Sequence, residues 1–230
     1  MKKITLYMIA VALSVIYVTS SLAIPSFGTL MPKKGGWQVG GRTDRIFKRD
    51  VKDYRDENAS AYHCTISYGL SEWFSFDGMI GLGTVGAEFN DTGNLNYPAS
   101  FSGGYGWRAK LYKSDKYRID WVWGFQHMST HPGKRRQVKG RKYSIILDDW
   151  QLSTTISKKI WRLTPYCGMK YSFLYLINKI DGDRHRRFSR GTPIGLIVGT
   201  DLQVNDYLYI NAEGRFLDET ALNAGFTVRY

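Results

Sequence analysis

The densest group of chemically capable residues in the chain is His127-Met128-Ser129-Thr130-His131-Pro132-Gly133. A serine hydroxyl becomes a nucleophile when a neighbouring imidazole takes its proton and a third polar group orients that imidazole. On a strand, residues two apart share one face and stand about 7 Å apart. His127 is therefore the candidate base and Ser129 the candidate nucleophile of an acyl-transfer site. The plainer alternative makes His127, Ser129 and His131 polar residues that hydrogen-bond at an interface. No metal is expected, because the spacing of His127, His131 and His185 fixes no third ligand.

A second group carries charge. Stretch 129–142 contains Lys134, Arg135, Arg136, Lys139, Arg141 and Lys142 and no acid. Stretch 178–190 contains Lys179, Arg184, Arg186, Arg187 and Arg190 against Asp181 and Asp183. Guanidinium and ammonium groups in such density suit phosphate, Arg through paired N–H donors. The formal charge of the chain is +12, or +10 without Lys2 and Lys3, and these two stretches supply +9 of it.

The elements that must hold these residues read as strands. Lys2 and Lys3 precede an apolar run from Ile4 to Val18, and small residues follow up to Ala23. Residues 1–23 therefore read as an export leader cut after Ala23, and 24–230 as the mature chain. Export argues against nucleic acid as the partner of the basic stretches. Beyond Ala23 no apolar run approaches the roughly 20 residues of a membrane helix. Apolar and polar residues alternate instead. Cys64, Ile66 and Tyr68 oppose His63, Thr65 and Ser67. Trp121, Trp123 and Phe125 oppose Asp120 and Gln126. Cys167, Met169, Tyr171 and Phe173 oppose Lys170 and Ser172. Leu208, Ile210 and Ala212 oppose Asn211 and Glu213. A period of two excludes helices, and its repetition in an exported chain with 15% aromatic residues and 24 Gly points to a membrane barrel.

Short connections at 70–72, 113–116, 157–160 and 204–206 alternate with longer polar ones at about 49–58, 87–100, 129–142 and 178–190. This rhythm predicts an all-β, up-and-down antiparallel transmembrane barrel of about ten strands, with periplasmic turns and long external loops. By parity, Arg42, Asp44, Asp77, Arg108, Lys110, Arg118, Asp120, Arg162, Lys170, Asp201, Glu213, Arg215 and Arg229 point inward. So many charges of both signs in a narrow barrel predict a filled, salt-bridged lumen. Cys64 and Cys167 share the lipid-facing parity, so free thiols are expected.

The final stretch, in which Leu222, Ala224, Phe226, Val228 and Tyr230 alternate with polar or small residues, resembles the C-terminal signal that barrel-assembly machinery reads in outer membrane proteins. His-x-Ser on a barrel exterior resembles outer membrane phospholipase A and the lipid A deacylase barrels. That resemblance implies His127 as base, Ser129 as nucleophile, an orienting Asn or Glu twelve residues after the serine, and calcium as a possible requirement. The corresponding position is Arg141, which cannot accept a bond from an imidazole. Asp148 or Asp149 could take that role only if strand pairing brought one back to the rim. A closer resemblance is to small outer membrane barrels carrying His-x-Ser-Ser-His-x-Gly before a strand that begins Arg-x-x-Tyr-Ser, here His127 to Gly133 and Arg141 to Ser144. It implies a related barrel and no particular activity.

The expectation is thus a monomeric protein of a Gram-negative outer membrane, non-enzymatic and without cofactor. Its basic loops (Lys134, Arg135, Arg136, Lys139, Arg141, Arg184, Arg186, Arg187 and Arg190) would contact lipopolysaccharide. The alternatives are an outer-leaflet acyl hydrolase using His127 and Ser129, and a narrow solute channel.

Overall fold

Strands with two unlike faces pair edge to edge until the last meets the first. The computed structural model describes residues 25–51, 54–89, 93–133, 135–138, 141–181, 183–188 and 192–230. Its elements are β1 (Trp37–Val51), β2 (Tyr54–Gly69), β3 (Phe74–Phe89), β4 (Gly93–Ser114), β5 (Ile119–Thr130), β6 (Arg135–Val138), β7 (Arg141–Lys158), β8 (Leu163–Ile180), β9 (Asp183–Phe188), β10 (Ile194–Gln203), β11 (Leu208–Phe216) and β12 (Thr220–Arg229). Every pairing is antiparallel, and β12 returns to β1 through Gln38↔Arg229 to Lys48↔Thr220. β6 pairs with β7 beyond the stretch that faces β5, and β9 pairs with β8 beyond the stretch that faces β10. Each of these short strands extends its predecessor's or successor's line, so the twelve strands form ten staves of one closed barrel.

The staves differ in height. β10, β11 and β12 have 10, 9 and 10 residues, close to the about 9–11 that cross a bilayer. β4 has 22 residues, and β7 and β8 have 18 each. The segments expected as long loops at 49–58, 87–100, 129–142 and 178–190 are for the most part strand, joined at their tips by short connections. The ladder continues above the membrane, where no lipid imposes an apolar outer face, so hydropathy alternation stops before the hydrogen bonds do.

Below the staves, the four short turns and the seam each carry an exposed aromatic: Trp73, Tyr117, Trp161, Tyr207 and Tyr230. Indole and phenol rings settle where hydrocarbon meets water, so these residues form a girdle around the turn end. Above them the outward parity is apolar and exposed, including Ile66, Phe76, Ile80, Trp123, Leu152, Phe173, Val198 and Phe226. A continuous belt of this kind is solvated by lipid. Cys64 and Cys167 lie on it as free thiols.

The inward parity builds three layers. Nearest the turns, residues 25–32 fold back inside the barrel, with Ser26, Phe27, Thr29 and Met31 buried, and Lys33 to Gly35 return to the surface before β1. Arg108 Nη1 donates to the carbonyls of Phe27 and Leu30, both at 2.9 Å, and the Arg42 guanidinium sits 4.5 Å over the Phe27 ring. Phe27 and Gly28 turn the chain at φ 61 and 63. A Cβ on Gly28 would meet the Tyr166 ring at 3.2 Å, so this plug has no room for a larger residue there.

The second layer is the charged network. Arg49 donates to Asp149 at 2.7 Å and to Glu219 at 3.2 Å; Lys170 pairs with Asp218 at 2.9 Å and with Glu219. Arg215 reaches Glu213 and Glu219 at 3.0 Å each, and Arg108 grips Asp77 with two bonds. The third is apolar: it begins at the height of the network, where Met128 and Leu174 flank Asp149 in register, and continues towards the outer ends. Ala59, Val85, Tyr97, Met128, Ile145, Leu147, Leu174 and Leu176 are buried against one another from facing walls. Beside Phe27 the polar layer keeps a void of about 10 Å³. The lumen is filled, as parity predicts. Arg118 and Arg162 are the exceptions among the expected inward charges: both lie exposed on turns, Arg118 before β5 and Arg162 before β8, the latter 5.2 Å over the Trp161 ring. Parity fails at both because the turn residues Arg118 and Trp161 have positive φ (54° and 56°) and break the alternation.

Two outcomes follow. Replacing Arg215 by Met leaves Glu213, Glu219 and Asp44 without their shared cation, and urea unfolding in detergent should show about 3–5 kcal/mol lost. With a salt-bridged layer under an apolar one, the purified barrel in a planar bilayer should give no discrete conductance steps; a steady ohmic pore would contradict the packing.

Candidate lipid-facing site

The His-x-Ser stretch ends β5. β5 leaves the turn at Ile119, so Ser129 stands about 23 Å above the girdle, at the height of the outer leaflet. The register sets its neighbours. Ser129 lies between Gly103 of β4 and Asp148 of β7, and His127 between Tyr105 and Trp150. All share the outward parity, and Met128 and Thr130 point into the core.

Ser129 Oγ and His131 Nε2 share a hydrogen bond of 3.0 Å. His127 turns the other way. Its Nδ1 is 3.2 Å from the Asp149 carbonyl, its Nε2 is 3.5 Å from Asp148 Oδ1, and its ring stacks on Trp150 at 3.9 Å. The imidazole facing Ser129 is therefore that of His131, and the carboxylate sits on the other histidine. Asp148 does return to the rim, through the β5–β7 pairing that sequence spacing alone does not disclose. The Trp150 indole also approaches it, at 3.4 Å. Two half-assemblies result, Ser129 with His131 and His127 with Asp148, joined by one strand pair. Among the described residues no group of His, Cys, Asp and Glu is arranged to hold a metal ion.

Directly above lies the backbone that carries the basic stretches. Arg135 and Arg136 are on β6, Arg141 opens β7, and Arg184, Arg186 and Arg187 are on β9. Lys134, Lys139 and Arg190 lie outside the described residues. The pairings Arg136↔Lys142, Ser144↔Lys179, Lys179↔Arg184 and Ile177↔Arg186 join β6, β7, β8 and β9 into one continuous wall. Its even-numbered β7 positions are the outer ones, so Lys142 is on the outer parity, Lys179 shares it through Ser144, and Arg136, Arg184 and Arg186 are register partners of Lys142, Lys179 and Ile177 on that parity. Arg135 and Arg187 pair with Tyr143 and Leu176, which pack on the core side. Asp181 closes the tip, accepting from the Lys142 backbone N–H at 2.8 Å.

A closed antiparallel barrel with an apolar belt, an aromatic girdle and a filled, salt-bridged lumen is a transmembrane β-barrel, with the His-x-Ser stretch on its outer face. No protein-family model matches the chain, and no curated protein does. Among solved structures, the chain is similar to the translocator domain of the autotransporter NalP from Neisseria meningitidis, with 12% identity and a TM-score of 0.49 over 89% of this chain and 91% of that one. It is similar also to the outer membrane protease OmpT from Escherichia coli, with 10% identity and a TM-score of 0.43 over 84% and 94%. The outer membrane protein OprG from Pseudomonas aeruginosa shares 12% identity, with a TM-score of 0.39 over 87% and 98%. These likenesses are distant, and the fold rests on the chain's own closed ladder.

Proposed function

We propose that this protein resides in a bacterial outer membrane and binds the phosphorylated lipid of the outer leaflet on the outer face of its tall wall. The observation that carries the reading is the pairing β6–β7–β8–β9. It sets two basic stretches, some forty residues apart in the chain, side by side above the lipid belt. Lipopolysaccharide presents phosphates at that height, and clustered Arg and Lys meet phosphate with paired, charge-assisted donors. The filled lumen supports the reading, since it leaves the exterior as the working surface. Substituting Arg136, Arg184 and Arg186 by Gln should weaken binding of the folded barrel to lipopolysaccharide vesicles at least tenfold and flatten its salt dependence. Substituting Arg135 and Arg187 by Gln, on the core-side parity, should leave binding nearly unchanged. Equal effects of the two sets would sink the proposal.

Acyl hydrolysis is a second reading, favoured by the 3.0 Å contact between Ser129 and His131. In it, Ser129 Oγ attacks an ester carbonyl while His131 takes its proton, the alcohol leaves with that proton, and water then frees the acid from the serine. Asp148 pairs with His127 instead of orienting His131, and for that reason lipid binding is preferred. Acyl release from phospholipid and lipopolysaccharide, with and without calcium, should therefore be no greater for the native barrel than for Ser129→Ala. Release that falls a hundredfold or more in the variant would make hydrolysis the function.

A further inference from the structure

The turn end of the lumen contains a cavity of about 160 Å³ between the plug and the barrel wall. Its charged lining is Lys110, Arg118, Lys159 and Arg229 against Asp120 alone. Lys110 and Asp120 lie 3.4 Å apart and offset one another. Among the described residues, no carboxylate oxygen lies within 4 Å of Arg118, Lys159 or Arg229 in an ion pair. Three positive charges thus border one small space at the lumen mouth, Arg229 half-buried and Arg118 and Lys159 exposed on its rim, an arrangement that raises the local concentration of an anion.

The donors are set to be used. Arg229 is fixed in place by bonds to the Met31 carbonyl at 2.6 Å and to the Tyr209 hydroxyl at 3.3 Å, so it contributes charge from a rigid position. Lys159 is tethered to Gln203 at 3.1 Å, and the Thr164 hydroxyl also borders the cavity. Arg118 holds φ at 54°, a conformation that Asn or Gly adopts more cheaply. From that turn its side chain borders the cavity.

We propose that this mouth is a receptor for a phosphate-class oxyanion, open to the periplasm and closed above by the plug and the apolar layer. The oxyanion sits between Arg118, Lys159 and Lys110, with Arg229 behind it. It is held below the plug, whose Phe27 and Leu30 carbonyls are tied to Arg108 across the lumen. A free oxyanion and one borne on a phospholipid headgroup of the inner leaflet present the same tetrahedral group to the site.

Calorimetric titration of the folded barrel with inorganic phosphate, in non-ionic detergent at low ionic strength, tests the site. A parallel arm uses nanodiscs of phosphatidylglycerol or phosphatidylcholine. Saturable phosphate binding is expected, weakened tenfold or more in Arg118→Asn and in Lys159→Gln taken singly. Lys113→Gln, which removes an exposed turn cation outside the cavity, should leave it unchanged. Retained heat-modifiable migration on gels confirms that each variant is folded. Binding confined to phosphatidylglycerol discs, with the same variant pattern, supports the site and assigns the lipid as source. No saturable binding in either arm, or a Lys113→Gln loss equal to the cavity variants, overturns the proposal.

Discussion

A carboxylate enclosed by a closed sheet remains ionised only when cations are enclosed with it. Glu219 sits among Lys170, Arg49 and Arg215, which come from three different staves. Asp218 shares Lys170, and Asp149 shares Arg49, so removal of one member leaves several others desolvated. The ten-stave closure depends on this layer, because a barrel of this width cannot keep such side chains in water. Everything above and below is organised around it: an apolar layer outward, a polypeptide plug towards the turns.

The division of the interior leaves little accessible surface within the barrel. Facing walls meet across Tyr97, Met128, Leu147 and Leu174 much as two sheets meet in a sandwich. Groups that remain accessible are those on the lipid face, on the wall above it and at the turn-side mouth. The first two adjoin. Ser129 and Asp148 share a row with Gly103, and the basic positions of β6, β7, β8 and β9 stand just beyond. A phosphorylated lipid approaching that wall would meet cations and the serine on one surface.

Much of the barrel was legible in the sequence because lipid imposes a period of two on whatever it touches, as at Trp121 to Phe125 and at Cys167 to Phe173. Where lipid is absent the signal vanishes while the strand persists, which is why the outer parts of β4, β7 and β8 read as loops. The network was half legible. Lys170, Glu213 and Arg215 stand on recognisable inward parity, but Arg49 falls in an expected loop and Glu219 in none of the alternating stretches. The plug was not legible at all, because residues 25–32 have no periodicity and are ordered by Arg42, Arg108 and Arg229 from distant staves. At the candidate site, the two-residue spacing identified the face shared by His127 and Ser129. Which histidine meets the serine, and that Asp148 lies opposite it, depend on rotamer and register and not on spacing.

The plug also bears on how the closure is held. The Phe27 side chain lies between the guanidinium groups of Arg42 and Arg108, behind a seam where Trp37 and Tyr230 exchange backbone hydrogen bonds. Arg42 belongs to β1 and Arg108 to β4, and Arg229 of β12 binds the same segment at the Met31 carbonyl. The first strand, the last and one further round the barrel are thus tied to a single stretch of backbone, which acts as an internal cleat for the seam.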